Sequence, residues 1–319
     1  DLIQTFQGSQ WWEVRAFALS QRENSDDPYL DPGAPPQLGG LGDEQFKDNL
    51  NDVLRYSRLL DPADPATINI SPQVFGNNIL GQHDGSGHGN NPVTGQPYAD
   101  NIVKHADYGR VVAEFWADGP DSETPPGHWN VVSNEVTDHP DLVFRIGGVG
   151  SVVDELEWDV KRYMAMNGAM HDAATAAWTC KRVYDYGRPI VMCRYMGLMG
   201  QSSEFNSPDP EIQSTYHPDG MKLEPGLVEV ITSQSAATGQ RHEHLNEHIG
   251  SIAIRTWAGE PADPETEVGG VDWILARDWL PYQRDTFVTP AFAAYVSGHS
   301  CFSRAGAEVL GLLTGSPYF

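Results

Sequence analysis

Residues 151–189 read SVVDELEWDVKRYMAMNGAMHDAATAAWTCKRVYDYGRP. Apolar side chains recur at intervals of three and four through Val153, Leu156, Val160, Tyr163, Met170, Ala174 and Ala177, the spacing of one face of a helix. A long helix over about 151–186 follows. Ala173, Ala174, Ala176 and Ala177 leave room for a neighbouring helix to come close. Gly187 is a natural terminator, and Pro189 disfavours helical backbone at Arg188. His171 and Asp172 lie more than two turns before Lys181 and read as an internal packing and hydrogen-bonding pair. The fold class implied is all-α: helices packed into a bundle and joined by long irregular connections.

The end of this helix carries two cations, Lys181 and Arg188, seven residues apart. Seven residues is about two turns, so the pair is expected on one face, with Arg188 just past the helix end and aimed inward. A planar Arg fork beside a Lys point charge suits a tetrahedral oxoanion. The plainer account is a solvated i,i+4 ion pair of Lys181 with Asp185. A second segment supplies what the first lacks. In TPAFAAYVSGHSCFSRAGAEVL, residues 289–310, a β-branched and aromatic lead-in runs into Ser297-Gly298-His299 and then a helical run. Ser297 is a good N-cap, and Gly298 lets the backbone approach a ligand. The first free N–H groups of a helix attract anions. His299 would stand beside that anion, able to give or take a proton near neutral pH.

Lys181-x6-Arg188-Pro189 followed by Ser297-Gly298-His299 resembles the vanadium-dependent haloperoxidase and type 2 phosphatidic acid phosphatase superfamily. AEFWADGPDSETPPGHW at 113–129, NGAMHDAATAAWTCKRVYDYGRP at 167–189 and the segment 289–310 are similar to bacterial vanadium haloperoxidase relatives. The resemblance implies a helical bundle of the haloperoxidase/acid phosphatase type. It implies vanadate as cofactor, with phosphate able to take the same seat, and a reaction in which hydrogen peroxide oxidises halide to hypohalous acid that halogenates a small organic acceptor. By the same resemblance Lys181 polarises the peroxide, Arg188, Ser297 and Gly298 hold the oxoanion, and His299 is the acid–base residue. Trp178 and Phe292 match positions that flank the halide in chloroperoxidase-type members, although plain core packing accounts for them equally well. A last family motif, an Arg followed six residues later by a His, is not found after His299. The His that ligates vanadium directly is therefore expected beyond Phe319, in a continuation of the chain, a C-terminal fragment or a second chain. Two alternatives stand beside the haloperoxidase: a soluble acid phosphatase of the same superfamily, and a non-catalytic anion-binding or assembly subunit.

The remaining chain bounds these readings. Its 319 residues carry 44 acidic and 20 basic side chains, a net charge of −24, which argues against nucleic acid or an acidic membrane as partner. No run is long and apolar enough to suggest a membrane span. A homo-oligomer is expected; the sequence does not fix the compartment, secreted and periplasmic sites being among those it allows. Three cysteines, Cys180, Cys193 and Cys301, make no disulfide framework and read as buried small side chains. Residues 1–140 are expected to form a loop-rich region packing on a bundle made by 141–319. Within the first, short helices are expected near 11–20, 43–60, 108–116 and 129–136, and a long loop at 61–101. In that loop His83 and His88 read as exposed, and Asp84, Asn90, Asn91 and Asp100 lack the spacing of a calcium loop. Within the second, residues 227–239 and 241–257 are expected as two further helices. His242, His244 and His248 invite a metal reading, but HLNEH is not the zinc motif, its Glu being misplaced.

Overall fold

The computed structural model describes residues 8–20, 26–75, 87–91, 94–117, 122–284, 287 and 289–317. His83 and Asp84 lie outside them. The chain divides into two compact units, each drawing on both sides of residue 140: one of residues 1–35, 118–188 and 288–319, the other of 36–117 and 189–287.

The second unit opens with α1 (Asp43–Arg58), a hairpin of β1 (Thr67–Asn69) and β2 (Ile102–Lys104), and α2 (His105–Phe115). It continues with α5 (Pro189–Met199), the single turn α6 (Pro210–Gln213), and an antiparallel sheet of β3 (Val228–Val230), β4 (Ile252–Trp257) and β5 (Val271–Leu275). Register pairs Val228 with Ile254 and Trp257 with Val271. α1 lies on β4, and α5 on the turn 276–278. This unit corrects the all-α expectation. Residues 227–239 and 241–257 form strands and 3-10 turns instead of two helices. The reason lies in β4: five of its six residues are buried, so the strand shows no inside–outside alternation. A short apolar run of that kind cannot be told from a buried helix by periodicity.

The first unit is the helical one. It holds α3 (Pro125–Thr137), α4 (Glu155–Tyr184) and α7 (Gly298–Thr314), with α7 packed on both others. It also holds a 3-10 turn, Ser9–Trp12, that lies against α4. α4 is capped by Asp154, whose carboxylate accepts the Glu157 N–H, and α7 by Ser297, whose hydroxyl accepts the Ser300 N–H at 3.2 Å. Each cap satisfies one of the four backbone donors a helix start leaves open. The close approach of α3 and α7 depends on Gly306, since a Cβ there would sit 2.4 Å from the Trp129 ring.

The buried face of α4 differs from the expected one. Met170, Ala174 and Ala177 are buried, but Leu156 and Val160 are 74% and 59% exposed. The face turned inward runs Trp158, Arg162, Met166, Met170, Ala174 and on to Lys181. The polar Arg162 hides this four-residue spacing from a hydrophobicity reading. The short helix expected near 11–20 is only the turn Ser9–Trp12. Among the described residues no helix is long and apolar enough to cross a membrane.

Candidate functional site

Lys181 lies on the last turn of α4, 1% exposed. The helix ends at Tyr184 because Asp185 takes the left-handed conformation, φ 40° and ψ 48°, rather than at Gly187. Lys181 and Arg188 are therefore not on one helical face, and the plainer alternative, a Lys181–Asp185 ion pair, does not form among the described residues. The chain turns at Asp185, and both cations meet the segment that precedes α7. Lys181 Nζ donates to the carbonyls of Ala293, at 2.7 Å, and Ala294, at 3.1 Å. Arg188 Nε donates to the Phe292 carbonyl at 2.9 Å. The Phe292 ring lies 5.2 Å from Lys181 Nζ and 4.7 Å from Arg188 Cζ, within reach of cation–π attraction.

Neither cation pairs with a carboxylate among the described residues. Arg188 Nη2 is buried without a hydrogen-bond partner among the described residues. Burial, and then the charge of Arg188, lowers Lys181 to about 8; burial also presses Arg188 below its ordinary value. A buried and a half-buried cation side by side, with spare donors and no counter-charge among the described residues, are costly to hold, and an anion placed among them offsets that cost. These donors fit an oxoanion such as vanadate or phosphate.

The Ser297-Gly298-His299 turn reaches the same place through Trp178. This indole packs 5.1 Å from the Phe292 ring and 6.4 Å from Phe302, and its centroid is 5.7 Å from Lys181 Nζ. A Cβ on Gly298 would stand 3.3 Å from Trp178 Cζ3, so glycine lets the start of α7 sit against the indole. Ser297 is exposed; Gly298 and His299 are half-buried at the first and second positions of α7. All seven residues singled out from the sequence, Trp178, Lys181, Arg188, Phe292, Ser297, Gly298 and His299, thus lie on two segments that pack together. The carbonyls of residues 292–294, which orient both cations, were not foreseen. Backbone acceptors leave no trace in residue type.

The other candidates resolve as structure. Asp172 accepts the N–H groups of Phe17, Ala18 and Leu19. Burial opposes its charge, but these bonds, with His171 beside it, hold its carboxyl below the usual range. His242 is buried against Ser235 and pushed down to about 4 by burial. His244 Nε2 bonds to the Trp273 carbonyl, and His248 lies beside Arg277. No group of three or more potential metal ligands occurs among the described residues. Cys180 and Cys193 are buried and Cys301 half-buried, all with free thiols; burial pushes Cys180 up to about 11.

A family model described as the VCPO second helical-bundle domain matches residues 161–223 and 242–319. The first stretch contains Lys181 and Arg188, the second Ser297, Gly298 and His299. No curated protein and no solved structure matches the chain.

Proposed function

We propose that this chain, which a family model for the VCPO second helical-bundle domain matches over residues 161–223 and 242–319, is a vanadium haloperoxidase that oxidises halide with hydrogen peroxide to hypohalous acid, which halogenates a small organic acceptor. The observation that carries the reading is the pair of buried Lys181 and half-buried Arg188, with no carboxylate partner and with the Arg188 Nη2 atom buried and unbonded among the described residues. Vanadate, when bound, supplies a Lewis acid toward peroxide.

The chain's own groups do the rest. Lys181 and Arg188 supply fixed positive charge, placed before the reaction, where most of the electrostatic gain arises. The Gly298 N–H opens α7 toward the seat. Ser297 Oγ accepts from Ser300 N, which leaves its own O–H proton to donate. The His299 imidazole takes the proton of the incoming peroxide. Trp178 and Phe292 give the halide a poorly hydrated wall.

The test is an assay of the native full-length protein with orthovanadate, hydrogen peroxide and either bromide or chloride, following halogenation of a phenolic dye. Halide oxidation is expected, and Arg188→Ala should lower kcat/KM by about 100-fold, close to 3 kcal/mol. Phosphomonoester hydrolysis without halide oxidation would transfer the seat to phosphatase chemistry. Phosphate binding without either activity would make the chain an anion-binding subunit.

A further inference from the structure

Residues 8–20 and 26–33 precede both stretches matched by the family model, yet they contact the helix that carries Lys181. The Phe17 ring lies over Gly168, where a Cβ would come within 2.8 Å. Tyr29 N–H donates to Thr179 Oγ1, and Cys180 Sγ to the Leu30 carbonyl. Tyr184 and Tyr295 donate their hydroxyls to Asp31 and to the Gly33 carbonyl. The closest approach is at Gly8. Its φ is +75°, and a Cβ there would fall 2.2 Å from Trp178 Nε1 and 2.8 Å from Cδ1. The bare backbone of Gly8 therefore lies on the pyrrole edge of the indole, while the opposite edge meets Gly298. Trp178 is held between the arm and the start of α7.

We propose that Gly8 is a positioning residue of the anion seat: it fixes the Trp178 indole, which in turn backs Gly298 and the Lys181 ammonium. The inference rests on the oxoanion seat described above. It requires a residue without a side chain at position 8 for two separate reasons, the left-handed backbone and the indole. Gly33 isolates the first. It lies in the same arm at φ +91°, and a Cβ there meets nothing within 4 Å.

The experiment compares Gly8→Ala with Gly33→Ala in the full chain, titrating inorganic phosphate by calorimetry and recording thermal melts. Gly8→Ala is expected to weaken phosphate binding about tenfold, and Gly33→Ala to leave it within twofold. In a Trp178→Ala background the ring that the added methyl would meet is gone, so Gly8→Ala should cause no further loss. That double variant also decides the matter if Gly8→Ala alone does not fold: binding equal to Trp178→Ala supports the proposal, and weaker binding overturns it. A folded Gly8→Ala with unchanged affinity overturns it as well. If the unaltered chain binds neither phosphate nor orthovanadate, the seat itself is gone and the inference with it. Unaltered affinity in Gly8→Ala removes the inference alone.

Discussion

α4 buries two cations, one near each end, and they are held in opposite ways. Arg162, 3% exposed, donates to Ser133 Oγ and Asn134 Oδ1, both at 2.8 Å, and to Asp159 at 2.9 Å, and it lies over the Tyr163 ring. Lys181, 1% exposed, has two backbone carbonyls and a second cation for company. The first charge is balanced within the fold. The second is balanced only in part, by carbonyl dipoles and ring faces. Burial alone therefore does not mark a functional charge. What distinguishes Lys181 is burial without an opposite charge, on a helix that elsewhere supplies one.

The largest effect that could break this contrast is on stability. Arg162→Met removes the cation and strands Asp159 beside an apolar group. The cost should be about 2–4 kcal/mol, at or below the range for a fully buried pair because the Asp159 side chain is a third exposed. Phosphate affinity should stay within twofold. Urea unfolding and calorimetry measure the two. A stable Arg162→Met protein that no longer binds phosphate would reverse the assignment of the two cations.

Lys181→Met is the reciprocal test. Losing two hydrogen bonds and relieving a buried charge oppose one another, so stability should change by no more than about 1.5 kcal/mol. Phosphate and orthovanadate affinity should fall about 100-fold, the loss expected for charge-assisted bonds of about 2–3 kcal/mol.

The pH dependence is a smaller effect with a defined sign. Lys181 is lowered to about 8 in the folded protein, below the 10.5 of a free lysine. A bound anion favours the charged form and raises that value. Affinity should therefore be constant below pH 8 and decline by up to tenfold per unit above it, until the raised value of the complex is passed. The same shift acts on folding: the charged form is penalised below pH 8, and the penalty fades as pH rises from 8 toward 10.5. A titration of phosphate affinity from pH 6.5 to 9.5 reads the first effect, and Lys181→Met should flatten it.

The same two cations show how much the chain disclosed before its structure. Lys181, Arg188 and the Ser297-Gly298-His299 turn were legible because charge type, Pro189 and an N-cap act locally, and the structure brings their segments together. The interruption of the helix at Asp185 was not legible, since left-handed backbone is ordinarily the province of glycine and Gly187 stood two residues away. The carbonyls that orient the cations and the passage of Gly8 under Trp178 were hidden for another reason. Both are backbone contacts between segments far apart in sequence. The sheet β3–β4–β5 was missed because burial on both faces erased the alternation that would have declared it.

The smallest expected effect tests the face of α4 that the hydrophobicity reading favoured. Leu156 and Val160 fit the helical period, yet both are exposed, while Trp158 and Met166 are buried. Trp158 donates its Nε1–H to Thr137 and stacks on Phe144, contacts that fix the helix's rotation and turn Leu156 outward. Leu156→Gln exchanges an exposed apolar side chain for a polar one of similar length and helix propensity, so it should alter unfolding free energy by less than about 0.5 kcal/mol. A loss above about 1 kcal/mol in urea titration would mean that this face is covered in solution. If that loss also grew with protein concentration, the cover would be a second copy of the chain.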